Sequence, residues 1–221
     1  MNSFTEENYL KAIYKLLEKG VKKVSTSSIA EMTDTAPASV TDMLKKLAAK
    51  KYIHYRKYQG VSLTANGKKI AIEIIRKHRL WELFLYEKLN LKWDEVHDIA
   101  EQLEHIQSEL LVEKLDRFLN YPRFDPHGDP IPDVKGNMHA QKSIPLSEIS
   151  ETLKVVITGV VDHSPGFLQH IEKTGLSLGK ALKIKSKFDY DQSLQIIIMP
   201  GKSVTHISHD VAKNILVSQK K

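Results

Sequence analysis

The sequence predicts a mainly α-helical protein with small β parts: a winged helix-turn-helix, a helical middle region and a small C-terminal β-barrel. Three observations lead to this prediction. Three short apolar-striped segments precede a hairpin pattern, two longer helical patterns follow, and from residue 155 the apolar residues fall into short β-type runs. With 221 residues, of which 41% are hydrophobic, the chain is long enough for two or three small domains with real cores.

The N-terminal region is predicted as three short helices and a β-hairpin. Ser3 and Glu6 have the spacing of a capping box at the first helix, and Gly20 ends that helix. Pro37 suits the first turn of the third helix. The other predicted ranges are 25–34 and 37–50 for helices and 53–64 for the hairpin. This order of elements is that of a winged helix-turn-helix.

The middle region is predicted as two longer helices followed by an irregular loop. Thr64 caps a helix over residues 65–88, and Asp94 caps the next over residues 95–119, which carries an apolar stripe. The segment 121–133 holds four of the eight prolines. Because proline interrupts a helix, this segment is expected to form a rigid, irregular loop.

The C-terminal region is predicted as a small, partly open β-barrel, because its apolar residues occur in short runs separated by turn residues. The predicted strands are Val155–Val161, Ala181–Ser186, Leu194–Met199 and Val204–Ile207, and the predicted short helices are Phe167–Thr174 and His209–Asn214.

Charge divides the chain in the same way as the predicted elements. Residues 1–73 carry a net charge of +6, residues 74–140 carry −4 and residues 141–221 carry +4. A basic module followed by an acidic one suits a phosphate-binding part joined to a cation-binding part, although ordinary scatter of surface charge gives similar numbers. We place a winged-helix domain at 1–73, a helical domain at 74–140, a linker at 141–153 and a β-barrel domain at 154–221.

Composition excludes several protein classes. The chain has no cysteine, which excludes a disulfide framework, a zinc-thiolate site and a thiol nucleophile. Its first residues are acidic and polar, whereas a signal peptide is basic and then apolar. No apolar run approaches the roughly 20 residues that a membrane helix needs. We therefore expect a cytoplasmic protein with no membrane partner.

The third helix is the candidate DNA-reading element. Hydroxyl groups near a helix N-terminus can contact phosphates and base edges, and lysines can neutralise phosphates. Asp42 can accept from a cytosine amino group or cap a neighbour. The candidate contacts are Thr35, Pro37, Ser39, Thr41, Asp42, Lys45 and Lys46 at this helix, and Arg56, Lys57 and Tyr58 on the hairpin. The alternative is a winged helix that serves as a protein–protein module.

A row of metal-ligand side chains falls on one face of the second long helix. Its members are His97, Glu101, Glu104 and His105, and a further i, i+4 pair lies upstream at His78 and Glu82. The alternative is a solvated helix face, but clustered carboxylates destabilise a protein unless a cation neutralises them. Oxygen and imidazole donors favour hard or borderline divalent ions. With the DNA-reading helix, the row predicts a metal-sensing transcription factor.

A metal-dependent hydrolase is the rival class, because two carboxylates and two histidines can also hold a catalytic metal. Against it, the chain shows no His-Glu-x-x-His motif and no phosphate-cradling glycine loop. Ser164-Pro-Gly is a turn and lacks the Gly-x-Ser-x-Gly pattern of a nucleophile elbow. We therefore expect a protein that is not an enzyme.

Four segments resemble the diphtheria-toxin-repressor family of metal-dependent regulators, and the resemblance extends over nearly the whole chain. They are Ala36-Pro-Ala-Ser-Val-Thr-Asp-Met-Leu, Lys77-His-Arg-Leu-Trp-Glu, Val96-His-Asp-Ile-Ala-Glu-Gln-Leu-Glu-His and Asp125-Pro-His-Gly-Asp-Pro-Ile-Pro. The resemblance implies a winged-helix DNA-binding domain, a helical metal-binding and dimerisation domain and a FeoA-like barrel. It also implies a homodimer that binds palindromic double-stranded DNA operators when loaded with Fe(II) or Mn(II), with repression of metal-uptake genes as the output.

The resemblance further implies two metal sites. The residues that match the site activating DNA binding are Glu101, Glu104 and His105. Those that match an ancillary site are His78, Glu82 and His97. Asn8 stands where the first helix of the family supplies another ligand. The barrel lends a ligand to the ancillary site, and the candidates there are Asp162, His163 and Gln169.

The identity of the metal depends on two positions in this comparison. Glu101 indicates Mn(II), because the resemblance implies a cysteine there in iron-sensing members. Asn8 departs from the patterns of both branches, in which a methionine or an aspartate is expected. We therefore predict Mn(II) as the cofactor, with Fe(II) as the alternative and Zn(II) or Co(II) as substitutes in vitro. A regulator whose sites are permanently filled, for instance by zinc, is a further alternative.

Overall fold

The computed structural model describes residues 2–21, 23–56, 59–150, 153–201 and 203–219. The chain divides into two compact units. The first comprises Met1–His78, Glu101–Glu113 and Pro132–Met138, and the second comprises Arg79–Ala100, Lys114–Ile131 and His139–Lys221.

The first unit contains the predicted winged helix-turn-helix. Its elements are α1 (Phe4–Glu18), α2 (Thr26–Thr33), α3 (Pro37–Ala49), β1 (Ile53–Arg56) and β2 (Gly60–Leu63). The apolar stripes of the three helices meet in one core that includes Leu10, Ile13, Ile29, Val40 and Leu44. The two strands pair antiparallel, from Ile53 opposite Leu63 to Arg56 opposite Gly60. The predicted hairpin is therefore confirmed, while Lys57 and Tyr58 at its tip lie outside the described residues.

The capping box predicted at the start of α1 is present. The Ser3 hydroxyl accepts from the Glu6 amide, and the Ser3 amide donates to Glu6 Oε2 at 3.0 Å. Lys46 Nζ lies 3.2 Å and Lys50 Nζ 2.8 Å from the other Glu6 oxygen, Oε1. Burial raises the pKa of Glu6, but these lysines and the Ser3 amide outweigh it and hold the pKa at about 2. One buried carboxylate thus joins the beginning of α1 to the end of α3.

The helix α4 (Ala65–Leu89) begins as predicted at Thr64, whose hydroxyl accepts from the Gly67 amide at 3.1 Å. Gly67 lies against the backbone of Tyr52, where an added Cβ would come within 1.9 Å of the carbonyl oxygen. The first turn of α4 therefore tolerates only glycine at that position. The helix carries both His78 and Glu82, of which His78 ends the first segment of the first unit.

The prediction of one helix over residues 95–119 is wrong, because two helices occupy this range: α5 (Val96–Leu103) and α6 (Glu109–Phe118). Between them the Ser108 hydroxyl accepts from the Leu111 amide at 3.2 Å, which starts a new helix. Glu104 and His105 therefore lie in the intervening turn and not on a continuous helix face. The predicted Asp94 cap is also not formed; the Asp94 carboxylate instead accepts from the Gln169 amide at 2.6 Å.

The second unit contains a six-stranded antiparallel sheet in the order β3-β8-β4-β5-β6-β7. The strands are β3 (Ile144–Pro145), β4 (Lys154–Val160), β5 (Ala181–Lys187), β6 (Leu194–Ile198), β7 (Val204–Ile207) and β8 (Ile215–Gln219). Two short helices, α7 (Pro165–Lys173) and α8 (His209–Ala212), accompany it. The four predicted strands and both helices are present with small changes in bounds, and β3 and β8 are additional.

The segment predicted as a linker, residues 141–153, is partly ordered into this sheet. Ile144 pairs with Val217 of β8, and a short 3₁₀ turn follows at Leu146–Glu148. The side chains of Leu146 and Ile149 are buried in the core of the sheet. Two apolar residues at this spacing are too few to give a periodic signal, which explains why the sequence indicates a linker here.

No helix among the described residues has both the length and the apolar composition required to cross a membrane.

Candidate metal centres and DNA-reading surface

The first group of candidate ligands surrounds a lysine of α1. Lys11 Nζ donates to Glu101 Oε1 at 2.7 Å and to Glu104 Oε1 at 2.5 Å. The other Glu104 oxygen lies 2.6 Å from His78 Nδ1. Lys11, His78 and Glu104 are all buried. Of the predicted ancillary ligands, His78 is therefore paired with a residue of the predicted activating site.

His105 belongs to the same group and is bound by a second acidic residue of α1. Its Nδ1 lies 2.7 Å from Glu7 Oε2, and its Nε2 lies 3.8 Å from Glu104 Oε1. Gln107 donates to the other Glu7 oxygen at 3.1 Å, and the ring of Phe4 stacks on His105 at 4.6 Å between centroids. Sequence reasoning missed both Glu7 and Lys11, although their i, i+4 spacing on α1 brackets Asn8.

A divalent ion does not fit this group as it is arranged. The Lys11 ammonium already lies between the carboxylates of Glu101 and Glu104. Burial raises the pKa of Glu101, but Lys11, His78 and Lys15 outweigh it and lower the pKa. The Asn8 side-chain oxygen is buried and receives no hydrogen bond within the described ranges. The group is thus neutralised by a side chain of the protein itself.

The second group brings α4 and α5 together with the proline-rich loop of the second unit. Donor atoms of Glu82, Asp125 and His127 all lie within 4.8 Å of one another, and the three residues are buried. Glu82 Oε1 lies 3.2 Å from His97 Nδ1, and Glu82 Oε2 lies 3.7 Å from His127 Nδ1. His97 is half-exposed, so it lies at the rim of the group. Glu82 and His97 were predicted as ligands, whereas Asp125 and His127 were not.

The histidine of this loop is oriented for a metal ligand. His127 Nε2 lies 3.2 Å from the Trp93 carbonyl oxygen, to which it can donate. The buried Nδ1 has no hydrogen-bond partner among the residues that the structure describes. Metal-binding histidines commonly donate one ring N–H to a backbone carbonyl and present the other nitrogen to the ion. This donor set fits a divalent cation, because an unbonded imidazole nitrogen faces two carboxylates.

Electrostatics of the second group also favour a cation. Burial, together with the carboxylates of Glu82 and Asp129, raises the pKa of Asp125 to about 7. Burial lowers the pKa of His127, but Glu82 and Asp125 outweigh it and raise the pKa. Asp125 Oδ1 accepts from the amides of His127 at 2.8 Å and Asp129 at 3.0 Å, which sets the loop conformation. Acidic groups that share a buried space in this way are stabilised when a cation enters.

The three candidate ligands from the barrel differ in their surroundings. The ring of His163 stacks on His127 with 4.8 Å between centroids. Asp162 accepts from the Ser164 amide at 2.8 Å, and Gln169 is bonded to Asp94. His163 therefore contacts the second group directly, whereas the contacts of Asp162 and Gln169 are directed elsewhere.

The predicted DNA-reading residues form an exposed face of α3 that is partly neutralised by acidic groups. Pro37, Ser39, Asp42, Lys45 and Lys46 are exposed, as is Arg56 on β1. Lys45 Nζ lies 3.0 Å from Asp42 Oδ1, in addition to the pairing of Lys46 with Glu6.

Two threonines of the predicted set are engaged within the protein. The Thr41 hydroxyl donates to the Pro37 carbonyl at 3.0 Å. The Thr35 hydroxyl lies 3.0 Å from the Tyr9 hydroxyl and 2.7 Å from the Thr33 hydroxyl. These contacts orient the beginning of the reading helix α3.

Comparison with known proteins assigns all three regions of the chain. Residues 2–61 match the iron dependent repressor N-terminal DNA binding domain, residues 64–133 the iron dependent repressor metal binding and dimerisation domain, and residues 144–219 the FeoA domain. The diphtheria toxin repressor of Corynebacterium glutamicum is 31% identical over 97% of this chain and 96% of its own length. The chain belongs to the diphtheria toxin repressor family. It is a metal-dependent, DNA-binding transcriptional repressor and not an enzyme.

Two further relatives of this family member carry manganese in their names or titles. The HTH-type transcriptional regulator MntR of Oceanobacillus iheyensis is 38% identical over 54% of this chain and 80% of its own length. A manganese-dependent transcriptional repressor, solved in complex with manganese, is 30% identical. That structure matches with a TM-score of 0.83, covering 97% of this chain and 100% of the other.

In a repressor of this family, Lys45→Ala is expected to weaken binding to all DNA sequences alike and to reduce the salt slope by about one unit. The reason is that an exposed lysine on α3 neutralises a phosphate without reading a base. Fluorescence anisotropy with specific and scrambled duplexes at several salt concentrations measures both effects. Lys114→Ala, at an exposed lysine of α6, is the control. An unchanged slope for Lys45→Ala would remove this residue from the DNA interface.

Proposed function

We propose that this repressor senses Mn(II) and controls metal-uptake genes, and that it binds the ion at Glu82, Asp125 and His127. The observation that carries this proposal is the convergence of three buried donor side chains with an unbonded His127 nitrogen. A ready, buried set of this kind costs free energy without a cation, so its maintenance in the fold points to metal binding. His97 at the rim supplies a further imidazole.

The chemistry of the donors supports Mn(II). The group offers carboxylate oxygens and imidazole nitrogens, and the chain has no cysteine that would favour a softer ion. The manganese-dependent repressor of known structure and the MntR relative support the same metal. Fe(II) accepts these donors too and is the alternative, in line with the iron dependent repressor domains that the chain matches. Zn(II) and Co(II) are expected to substitute in vitro.

We propose further that the protein acts in the cytoplasm as a homodimer on a palindromic operator. The matched dimerisation domain includes α6, whose apolar side chains Leu110, Leu111 and Phe118 are 65%, 40% and 60% exposed. Exposed apolar residues on one helix are typical of a surface that a second copy covers. A two-fold symmetric dimer presents two reading helices, which match half-sites related by the same symmetry.

The assignment of a second ion to Asn8, Glu101, Glu104 and His105 stays a prediction. The domain bounds 1–73, 74–140 and 154–221 likewise stay proposals.

The proposed function is tested by titrating metals into the purified protein and duplex DNA from its own upstream region. We expect tight binding with Mn(II) or anaerobic Fe(II), and at least about tenfold weaker binding in chelator, since coupling energies of about 1–3 kcal/mol are typical. The more potent ion at cellular concentrations identifies the effector. Equal binding with and without metal would contradict the proposal, and retained zinc after chelation would then identify a permanently filled site.

A further inference from the structure

The Lys11 side chain is the least expected member of the first group. It is 5% exposed and comes from α1, while its two carboxylate partners come from α5 and the turn that follows it. The Glu104 side chain is fully buried. A buried ammonium and a buried carboxylate are retained only when each compensates the charge of the other. The pairing is therefore a built part of the first unit.

The ammonium and a divalent ion would compete for the same oxygen atoms. Lys11 Nζ lies 2.7 Å from Glu101 Oε1 and 2.5 Å from Glu104 Oε1. A hard divalent ion binds carboxylate oxygens at about 2.0–2.6 Å. Both cations would thus occupy nearly the same position between the two carboxylates. Since Glu104 also holds His78 through its second oxygen, the lysine completes a connected set without an ion.

We propose that the Lys11 ammonium takes the place of a divalent ion between Glu101 and Glu104 as a built-in cation. It joins α1 to these residues in the metal-free protein. Metal control of DNA binding, on which this inference rests as the proposed function, then belongs to the group of Glu82, Asp125 and His127. The consequence is a stoichiometry of one bound Mn(II) for each chain.

The first test is the Mn(II) stoichiometry of the full chain, measured by electron paramagnetic resonance of free Mn(II) during a titration. We expect about one ion for the unaltered chain and about two for Lys11→Glu, because removal of the ammonium and addition of a carboxylate open the site. Lys19→Gln, at an exposed lysine at the end of α1, is the matched control and should bind about one. Two ions on the unaltered chain, one of them lost in Glu104→Gln, would overturn the proposal.

A second variant keeps the proposal testable if Lys11→Glu fails to fold. Lys11→Gln retains a hydrogen-bonding side chain but leaves the two carboxylates without a counter-charge. In chelator it should unfold at a lower temperature than the unaltered chain, and Mn(II) should raise its midpoint by more than it raises that of the unaltered chain. An equal midpoint in chelator and an equal response to Mn(II) would overturn the proposal.

Failure of this inference and failure of the proposed function give different results. If the unaltered chain binds two ions and its DNA binding responds to metal, the Lys11 inference is wrong and the proposed function stands. If DNA binding is the same with and without Mn(II), and His127→Ala does not change the number of bound ions, the proposed function is wrong. The Lys11→Glu titration then reports on the first group alone.

Discussion

Substitution of His127 by alanine is expected to weaken Mn(II) binding more than about 100-fold, since even residues that only orient a ligand contribute about 10–100-fold. The His127 imidazole supplies the unbonded nitrogen of the second group, and the variant leaves Glu82 and Asp125 without this partner. Isothermal titration in the presence of a competing chelator measures the affinity. DNA binding should then lose its response to metal in the concentration range where the unaltered protein responds.

The matched control is His170→Ala, at an exposed histidine of α7. Its Mn(II) affinity should equal that of the unaltered chain, and both variants should retain the circular dichroism of the folded protein. An unchanged affinity in folded His127→Ala would remove the second group as the Mn(II) site.

Gly128→Ala is expected to destabilise the second unit by about 2–5 kcal/mol. The backbone of Gly128 has a φ of +91°, and forcing an alanine into the left-handed region costs roughly 1–2 kcal/mol. An added Cβ would also lie 2.2 Å from the Thr158 carbonyl oxygen and 2.4 Å from the Gly159 Cα. Overpacking against a backbone adds about 1–3 kcal/mol. Because Gly128 follows His127 directly, the shift of the loop should also weaken Mn(II) binding.

Urea unfolding followed by circular dichroism and by tryptophan fluorescence measures this loss. Trp93 is a local reporter, because its indole donates to the Pro126 carbonyl and its ring stacks on His127. Gly166→Ala is the control: an added Cβ there meets no described atom within 4 Å, so stability should stay within about 1 kcal/mol of the unaltered chain. If both glycine variants unfold at the same urea concentration, the close approach of the loop to β4 does not constrain the fold.

The winged helix could be predicted because its signals are local. The capping box at Ser3, the proline at the start of α3 and the hairpin residues each act within a few positions of the chain. The division between α5 and α6 was missed because the apolar stripe continues across the turn, and periodicity alone does not register a break. Ser108, followed by an acidic residue and two leucines, was the signal for a new helix.

The candidate sites could be predicted only in part, because ligands on one helix share a spacing and ligands from distant segments do not. The spacing between His78 and Glu82 and between His97 and Glu101 marks them as candidates. Lys11 is 90 positions from Glu101, and no pattern in a single sequence reports that pairing. His127 was quoted within a proline-rich motif, but its role depends on the Trp93 carbonyl that orients the ring.

The contact of Glu6 with α3 has a consequence for how strongly the repressor is attracted to DNA. Lys46 and Lys50 share the Glu6 carboxylate, and Lys45 is paired with Asp42, so three positive charges on or next to α3 are matched by two negative ones. The long-range field that draws α3 toward a phosphate backbone is correspondingly small. We expect α3 to contribute little to nonspecific affinity, so that discrimination between sequences depends on short-range contacts of residues such as Ser39. A protein with this charge arrangement leaves random DNA quickly and spends its bound time at the operator.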